Sequence, residues 1–195
     1  MKNFLQQDLF WINEPETYEI KDGVVTITSD PETDLWSKTY YNKSENNAPM
    51  LLHKTKEQYF TFSFSLKIKP TYEFDQAGII IFEDIDNWAK CSAEYIDSEK
   101  QLLGSVVTNL SYSDWSTKDI PADTEEIYYR LSRRKSDFLF ESSLDGVNFE
   151  QMRIFHMHTV EEEVSFGIYI ASPWDVRFEA EFSDLKIGPN LWETH

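Results

Sequence analysis

Apolar and polar side chains alternate strictly between Tyr59 and Lys69. Phe60, Phe62, Phe64, Leu66 and Ile68 share one parity, with Thr61, Ser63, Ser65, Lys67 and Lys69 between them. A period of two over that length predicts a strand with one buried and one wet face. Pro70 lacks a ladder donor and ends it. Val176 to Phe182 repeats the pattern, with Val176, Phe178, Ala180 and Phe182 set against Arg177, Glu179 and Glu181. The apolar phase then slips to Leu185 and Ile187, which predicts a β-bulge at Ser183-Asp184.

Less regular runs predict strands at Tyr18–Lys21, Val24–Thr28, Leu35–Tyr41, Ala77–Glu83, Trp88–Ile96, Gly104–Thr108, Ile127–Arg134, Phe138–Leu144, Phe149–Phe155 and Val164–Ala171. Asp22-Gly23 and Asp145-Gly146 lie between apolar-rich runs and predict hairpins. No run at the 3.6-residue period is long enough for a packed helix, and no internal repeat is visible. Many short strands separated by turns predict an all-β fold, a two-sheet antiparallel β-sandwich of the jelly-roll kind, with residues 1–195 as one domain.

Composition supports a core, since 41% of residues are hydrophobic and 15% aromatic. Charge narrows the partners. With 18 Lys+Arg against 35 Asp+Glu the net charge is −17, the wrong sign for a nucleic-acid or anionic-membrane footprint. No stretch approaches the roughly 20 apolar residues of a membrane span. Asp8 and Glu14 interrupt the N-terminus before a secretory apolar run forms, and the lone cysteine, Cys91, has no disulfide partner. The expected location is cytoplasmic.

The strand beginning at Trp88 carries the most interesting chemistry. Trp88, Lys90, Ser92 and Glu94 fall on one face, and Ala89, Cys91 and Ala93 on the other, small enough to lie against a packed layer. An indole beside an ammonium, a hydroxyl and a carboxylate suits a polyol, the ring covering its apolar face and the polar groups taking its hydroxyls. The same pattern also describes a solvated outer face. Nucleophile-elbow, Walker and dinucleotide-binding motifs are missing. His156 and His158 share a face, but zinc needs three or four ligands and their neighbours supply none. Neither a metal nor a cofactor is expected.

Five segments occur in a telling order: Gln76-Ala77-Gly78, Trp88-x-Lys90 with Glu94-Tyr95, SVVTNLSYSDWS at 105–116, LSRRKSDFLFESSLDG at 131–146, and VSFGIYIASP at 164–173. Together they resemble a family of the concanavalin A-like lectin/glucanase superfamily that bears a domain-of-unknown-function label. It includes the fungal regulator-of-enolase protein and bacterial relatives. The resemblance runs from about Asp75 to Gly188 and implies a concanavalin A-like jelly roll, with no established activity.

In lectin and glycosidase relatives of that fold the concave face binds glycans. The matched positions that this implies as ligand-binding are Gln76, Lys90, Glu94, Trp115, Arg133 and Tyr169, to which Trp88 is added from the strand pattern. Arg133 shares parity with Ile127, Tyr129 and Leu131, so it either extends an apolar row into the site or pairs with an acid such as Glu141. Trp115 follows Asp114 in an expected loop, as a binding platform or as a cap on the sandwich.

Glu94 is also the one weak catalytic candidate, with Glu83 or Glu141 as its possible second carboxyl. Glu83-Asp84-Ile85-Asp86 departs from the acid-rich strand of laminarinase-type relatives, because Trp88 stands where a glutamate should follow. The expectation is therefore a non-catalytic protein that binds a carbohydrate or other small polyol. The alternatives are a regulatory domain docking a protein partner and a glycoside hydrolase acting through Glu94.

Overall fold

The computed structural model describes residues 1–160 and 162–193. In chain order its strands are β1 (Lys2–Asn3), β2 (Leu9–Ile12), β3 (Thr17–Lys21), β4 (Val24–Thr28), β5 (Leu35–Ser37), β6 (Ser44–Asn46), β7 (Met50–Thr55), β8 (Tyr59–Lys69) and β9 (Gln76–Asp84). They continue with β10 (Asn87–Tyr95), β11 (Lys100–Asn109), β12 (Tyr112–Pro121), β13 (Ile127–Arg134), β14 (Asp137–Ser143), β15 (Glu150–His156), β16 (Val164–Ala171) and β17 (Glu179–Gly188). One 3-10 turn at Phe4–Gln6 is the only helical element among the described residues, and no helix there is long and apolar enough to cross a membrane.

Two antiparallel sheets form a jelly-roll sandwich. The first has the order β15-β14-β13-β8-β17-β4-β3, with β1 beside β17, and the second runs β12-β11-β10-β9-β16-β7-β2. The alternation in β8 does what period two requires. Phe60, Phe62, Phe64 and Leu66 enter the shared core with Leu131, Phe138, Phe140 and Phe182, opposite Ile79, Ile81, Ala89, Cys91 and Ile168 of the second sheet. Register shifts in β17 between Ser183 and Lys186, with Asp184 at φ 56°, which is the bulge the phase slip predicts. Asp22 and Gly23, at φ 52° and 83°, close the β3–β4 hairpin with two left-handed residues, as a primed turn demands. Asp145 accepts the Val147 and Asn148 amides in the β14–β15 turn, which holds its carboxyl well below the usual carboxylate range.

Five strands, β1, β2, β6, β7 and β12, escape the sequence pattern, three of them for identifiable reasons. β7 is buried on both faces, Leu51 in the shared core and Met50 and Leu52 beneath an outer layer, so it shows a block of apolar residues and no alternation. β2 is short and pairs only with β7. β12 is a largely exposed edge strand held by its ladder with β11, where Leu110 and Ser111 turn the chain at φ 52° and 71°. The expected loop around Trp115 is therefore strand. Conversely, the strand expected over Leu35–Tyr41 stops at Ser37, because Lys38, Tyr40 and Asn42 adopt positive φ and fold the chain back into β6.

Candidate functional site

Strand β10 lies near the middle of the second sheet, between β9 and β11. Its inward side chains, Ala89, Cys91 and Ala93, meet the core; burial pushes the Cys91 thiol well above its ordinary range, and its Sγ donates to Met152 Sδ at 3.1 Å. The outward row is Trp88, Lys90, Ser92 and Glu94, as the parity predicts. This face is not solvated: Lys90 and Glu94 are each only 3% exposed.

The cover comes from the segment joining β4 to β7, which crosses the outer face of the sheet. Its start is pinned to the end of β16, Thr33 N donating to Ser172 O at 2.8 Å and Ser172 N returning to Thr33 Oγ1 at 3.0 Å. Its β5–β6 hairpin is pinned to the turn into β12, where Ser37 N donates to Ser113 Oγ at 2.9 Å and Ser37 Oγ to Ser111 O at 2.8 Å. Leu35 and Ala48 from this segment join Met50, Leu52, Ile80, Phe82, Trp88, Val106 and Tyr169 in a second apolar cluster outside the sandwich.

Beside that cluster the cover leaves a cleft of about 310 Å³. Gln76, Lys90, Glu94 and Val106 supply its floor, and Trp36, Tyr41, Phe74, Trp115 and Trp174 its aromatic walls, with Asp34 and Lys43 also facing it. Lys90 Nζ donates to Gln76 Oε1 at 2.6 Å and lies 3.8 Å from Asp34 Oδ1. Tyr169 donates its hydroxyl to the same Gln76 oxygen at 3.1 Å, and Gln76 Nε2 donates to Phe74 O at 3.2 Å. Phe74 holds φ 65°, unusual for a bulky residue, and so aims its carbonyl at Gln76. Asp75 ties the two rim loops together. One carboxylate oxygen accepts from Ser172 Oγ at 2.7 Å, the other from the Thr71 and Tyr72 amides at 2.7 and 2.9 Å.

Charge at the floor is governed by burial. Loss of hydration pushes the Glu94 carboxyl above its usual range, against Lys90 and hydrogen bonds from Ser92 and Trp115 that pull it down, while Asp34 pushes it up. Burial likewise lowers the Lys90 ammonium, which Asp34 and Glu94 partly restore. Ser92 Oγ donates to Glu94 Oε1 at 3.0 Å.

Glycine makes the room. A Cβ at Gly104, directly across the ladder from Ser92, would stand 2.1 Å from Glu94 Oε1. Gly104→Ala is expected to push the carboxylate aside at a stability cost of about 1 kcal/mol, because only the end of a flexible side chain must move. Binding in the cleft should weaken by about tenfold, and titration calorimetry beside a denaturation curve reads the two effects separately.

The structure gathers four of the seven sequence candidates at the cleft: Gln76, Lys90, Glu94 and Trp115. Trp88 and Tyr169 are buried in the adjoining cluster, where the Lys90 ammonium sits 6.0 and 5.4 Å from their ring centroids. Arg133 is elsewhere. It lies on β13 of the other sheet, fully buried, with Nε donating to Lys135 O at 2.7 Å and Nη1 to Glu57 O at 3.1 Å. Its apolar parity is real, but the guanidinium reaches loop carbonyls at the end of the sandwich. Neither sequence candidate for a second carboxyl faces Glu94: Glu141 is opposite Arg130 on β14, and exposed Glu83 lies in the field of Lys54 and Arg133. The neighbouring acid is Asp34. Sequence reasoning missed it, with Trp36, Tyr41 and Trp174; the aromatic run Trp36, Tyr40, Tyr41 was the one local signal of the covering segment.

His156 and His158 do sit together, ring centroids 5.0 Å apart, with His156 Nδ1 2.7 Å from Asp137 Oδ1. No group of three metal-ligating side chains occurs among the described residues.

Comparison with known proteins places this geometry in context. A family model described as "Protein of unknown function (DUF1349)" matches residues 11–190. The chain is similar to "Regulation of enolase protein 1" of Saccharomyces cerevisiae, 29% identical over 146 residues that cover 74% of this chain and 71% of that one. It superposes on the crystal structure of a functionally unknown protein from Saccharomyces cerevisiae with a TM-score of 0.86 and 25% identity, over 94% of this chain and 97% of that chain. The carbohydrate binding module CBM66 from Bacillus subtilis shares the fold at a TM-score of 0.59 and 14% identity, over 93% of this chain and 96% of that chain.

Proposed function

The chain belongs to the DUF1349 family of proteins of unknown function, and from that premise we propose that its outer-face cleft binds the sugar portion of a carbohydrate without cleaving it. One observation carries this reading: a buried row of hydrogen-bonding groups, Gln76, Lys90 and Glu94, lies at the base of walls built from Trp36, Tyr41, Trp115 and Trp174. A sugar ring has apolar C–H faces for the indoles and a girdle of hydroxyls, each donor and acceptor, for the floor. A carbohydrate binding module that shares the fold, CBM66 from Bacillus subtilis, supports the same reading by analogy.

Binding without turnover fits the carboxylates. Asp34 lies 3.8 Å from the Lys90 ammonium and Glu94 is buried beside it, accepting from Ser92, so both carboxyls belong to the floor's own polar network, which supports binding over turnover. Affinity of this type falls in the millimolar to micromolar range, about 4–8 kcal/mol.

Thermal unfolding against a panel of mono- and oligosaccharides tests the proposal. A ligand at 100 times its dissociation constant adds about 2.7 kcal/mol, a shift of roughly 5–11 °C for a chain of this size. Trp115→Ala should abolish that shift and also lower the unliganded Tm by a few degrees, since the ring is only 40% exposed and its side chain hydrogen-bonds the Glu94 carboxyl. A shift that survives in Trp115→Ala sinks the assignment to this cleft. No shift with any sugar turns attention to a basic protein partner for the acidic surface, whose affinity should fall with salt.

A further inference from the structure

We propose that the cleft accepts uncharged sugars and rejects their acidic counterparts, uronates and sugar phosphates; this rests on the sugar-binding reading above and names its ligand class. The charge inventory at the cleft is complete and short. Asp34, Glu94, Lys90 and Lys43 are the acidic and basic side chains that line it, with the Tyr41 phenol beside them. The charge of Lys90 is already offset: its ammonium donates to Gln76 Oε1 at 2.6 Å and lies 3.8 Å from Asp34 Oδ1, which leaves donors for neutral hydroxyls. Lys43 stands on the exposed rim, where solvent and salt screen it. With both floor groups ionised, the two carboxylates outnumber the buried ammonium. With Glu94 protonated, Asp34 still balances it. Neither state leaves a spare cation on the floor for an incoming anion.

The devices that ordinarily hold anionic sugars are engaged elsewhere. Bidentate capture of a carboxylate or phosphate favours arginine, and none of the five arginines lines this cleft. Arg130 stacks 3.4 Å over the Phe149 ring, and Arg133 holds loop carbonyls. Arg134 binds the Trp192 carbonyl, Arg153 pairs with Asp114 at 2.8 Å, and Arg177 pairs with Glu16 at 2.7 Å and with Asp30 at 3.0 Å. No α-helix N-terminus, the other common phosphate cradle, exists among the described residues. The net charge of −17 adds long-range repulsion.

The cleft's size agrees with this class. At about 310 Å³ it lies at the small end of ligand pockets, suited to one or two sugar rings. Its floor also mixes acceptor and donor groups, which matches neutral hydroxyls, each able to give and take a hydrogen bond.

Titration calorimetry on the full chain decides the point, with methyl glycosides of glucose, galactose, mannose and xylose compared with glucuronate, galacturonate and the hexose 6-phosphates. The best neutral sugar should bind at least about tenfold more tightly than its acidic counterpart. Raising the salt concentration or introducing Asp34→Asn should narrow that gap, because both weaken the repulsion. An acidic sugar that binds as well as its neutral parent overturns the selection and leaves sugar binding intact. Absence of binding by every sugar in the set overturns both.

Discussion

Lys90→Met should destabilise the protein by about 3–5 kcal/mol at neutral pH, and adding Glu94→Gln should return most of that loss. The side chain is 3% exposed, and its ammonium supports three oxygen-bearing partners: Gln76 directly, Asp34 at 3.8 Å, and Glu94 through space. Methionine fills a similar volume, so the loss is electrostatic: Glu94 is left buried beside Asp34 with no counter-charge. For a chain of this size the expected fall in Tm is roughly 6–20 °C.

The pH dependence has a definite sign. Burial already raises Glu94 above its ordinary 4.5, so between that value and its folded-state value the native protein holds more protons than the unfolded chain. Stability from this group is complete below the ordinary value and declines as pH rises through the folded one. Lys90 pulls Glu94 down, so removing it extends the decline to higher pH. The deficit of Lys90→Met should therefore be small near pH 4.5 and grow toward neutrality. Denaturant titrations at several pH values measure this directly. A single variant as stable as the parent at neutral pH, or a double variant no more stable than the single, refutes the account.

Arg133→Met should cost about 3–4 kcal/mol and leave sugar affinity unchanged. The guanidinium spans three loop segments, donating to the carbonyls of Lys135 and Glu57 at 2.7 and 3.1 Å and to Glu162 O at 3.3 Å, with Gln58 Oε1 at 3.4 Å. Methionine keeps much of the bulk but removes every one of these part-buried hydrogen bonds at once, which sets the scale of the penalty. Chemical denaturation gives the stability and calorimetry the affinity. A variant that folds normally yet loses sugar binding would return Arg133 to the site, against its position on the opposite sheet.

These two residues show how far local pattern reaches. Lys90 and Arg133 both present a charge within a strand, Lys90 on a polar row and Arg133 at the end of an apolar one, and both stand as ligand-binding candidates in the chain. Lys90 faces the cleft because β10 lies centrally in the second sheet and the segment from β4 to β7 crosses over it. Arg133 faces inward on the other sheet and finds carbonyls at the end of the sandwich. Parity correctly places the Trp88–Glu94 row on one face, but parity carries no information about what lies above that face. Trp115 makes the same point from the other side: an edge strand needs no apolar alternation, so β12 reads as a loop until its ladder with β11 is seen.

The sequence by itself determined the all-β character, the long core strand at Tyr59–Lys69, the bulge at Ser183-Asp184, the Asp22-Gly23 hairpin and the shared face of Trp88, Lys90, Ser92 and Glu94. Each of these depends on neighbours two to four residues apart, a range over which side-chain direction and turn geometry are set by backbone stereochemistry. Only the tertiary structure decided that this face is covered, that Asp34 and not Glu83 or Glu141 stands near Glu94, that Gly104 opens space for its carboxylate, and that Arg133 belongs to the frame. Those facts depend on contacts such as Lys90 with Asp34 and Ser37 with Ser113, groups 56 and 76 residues apart in the chain. A charged side chain has the same local pattern whether water or another segment lies above it, and only the packing of that segment sets its solvation.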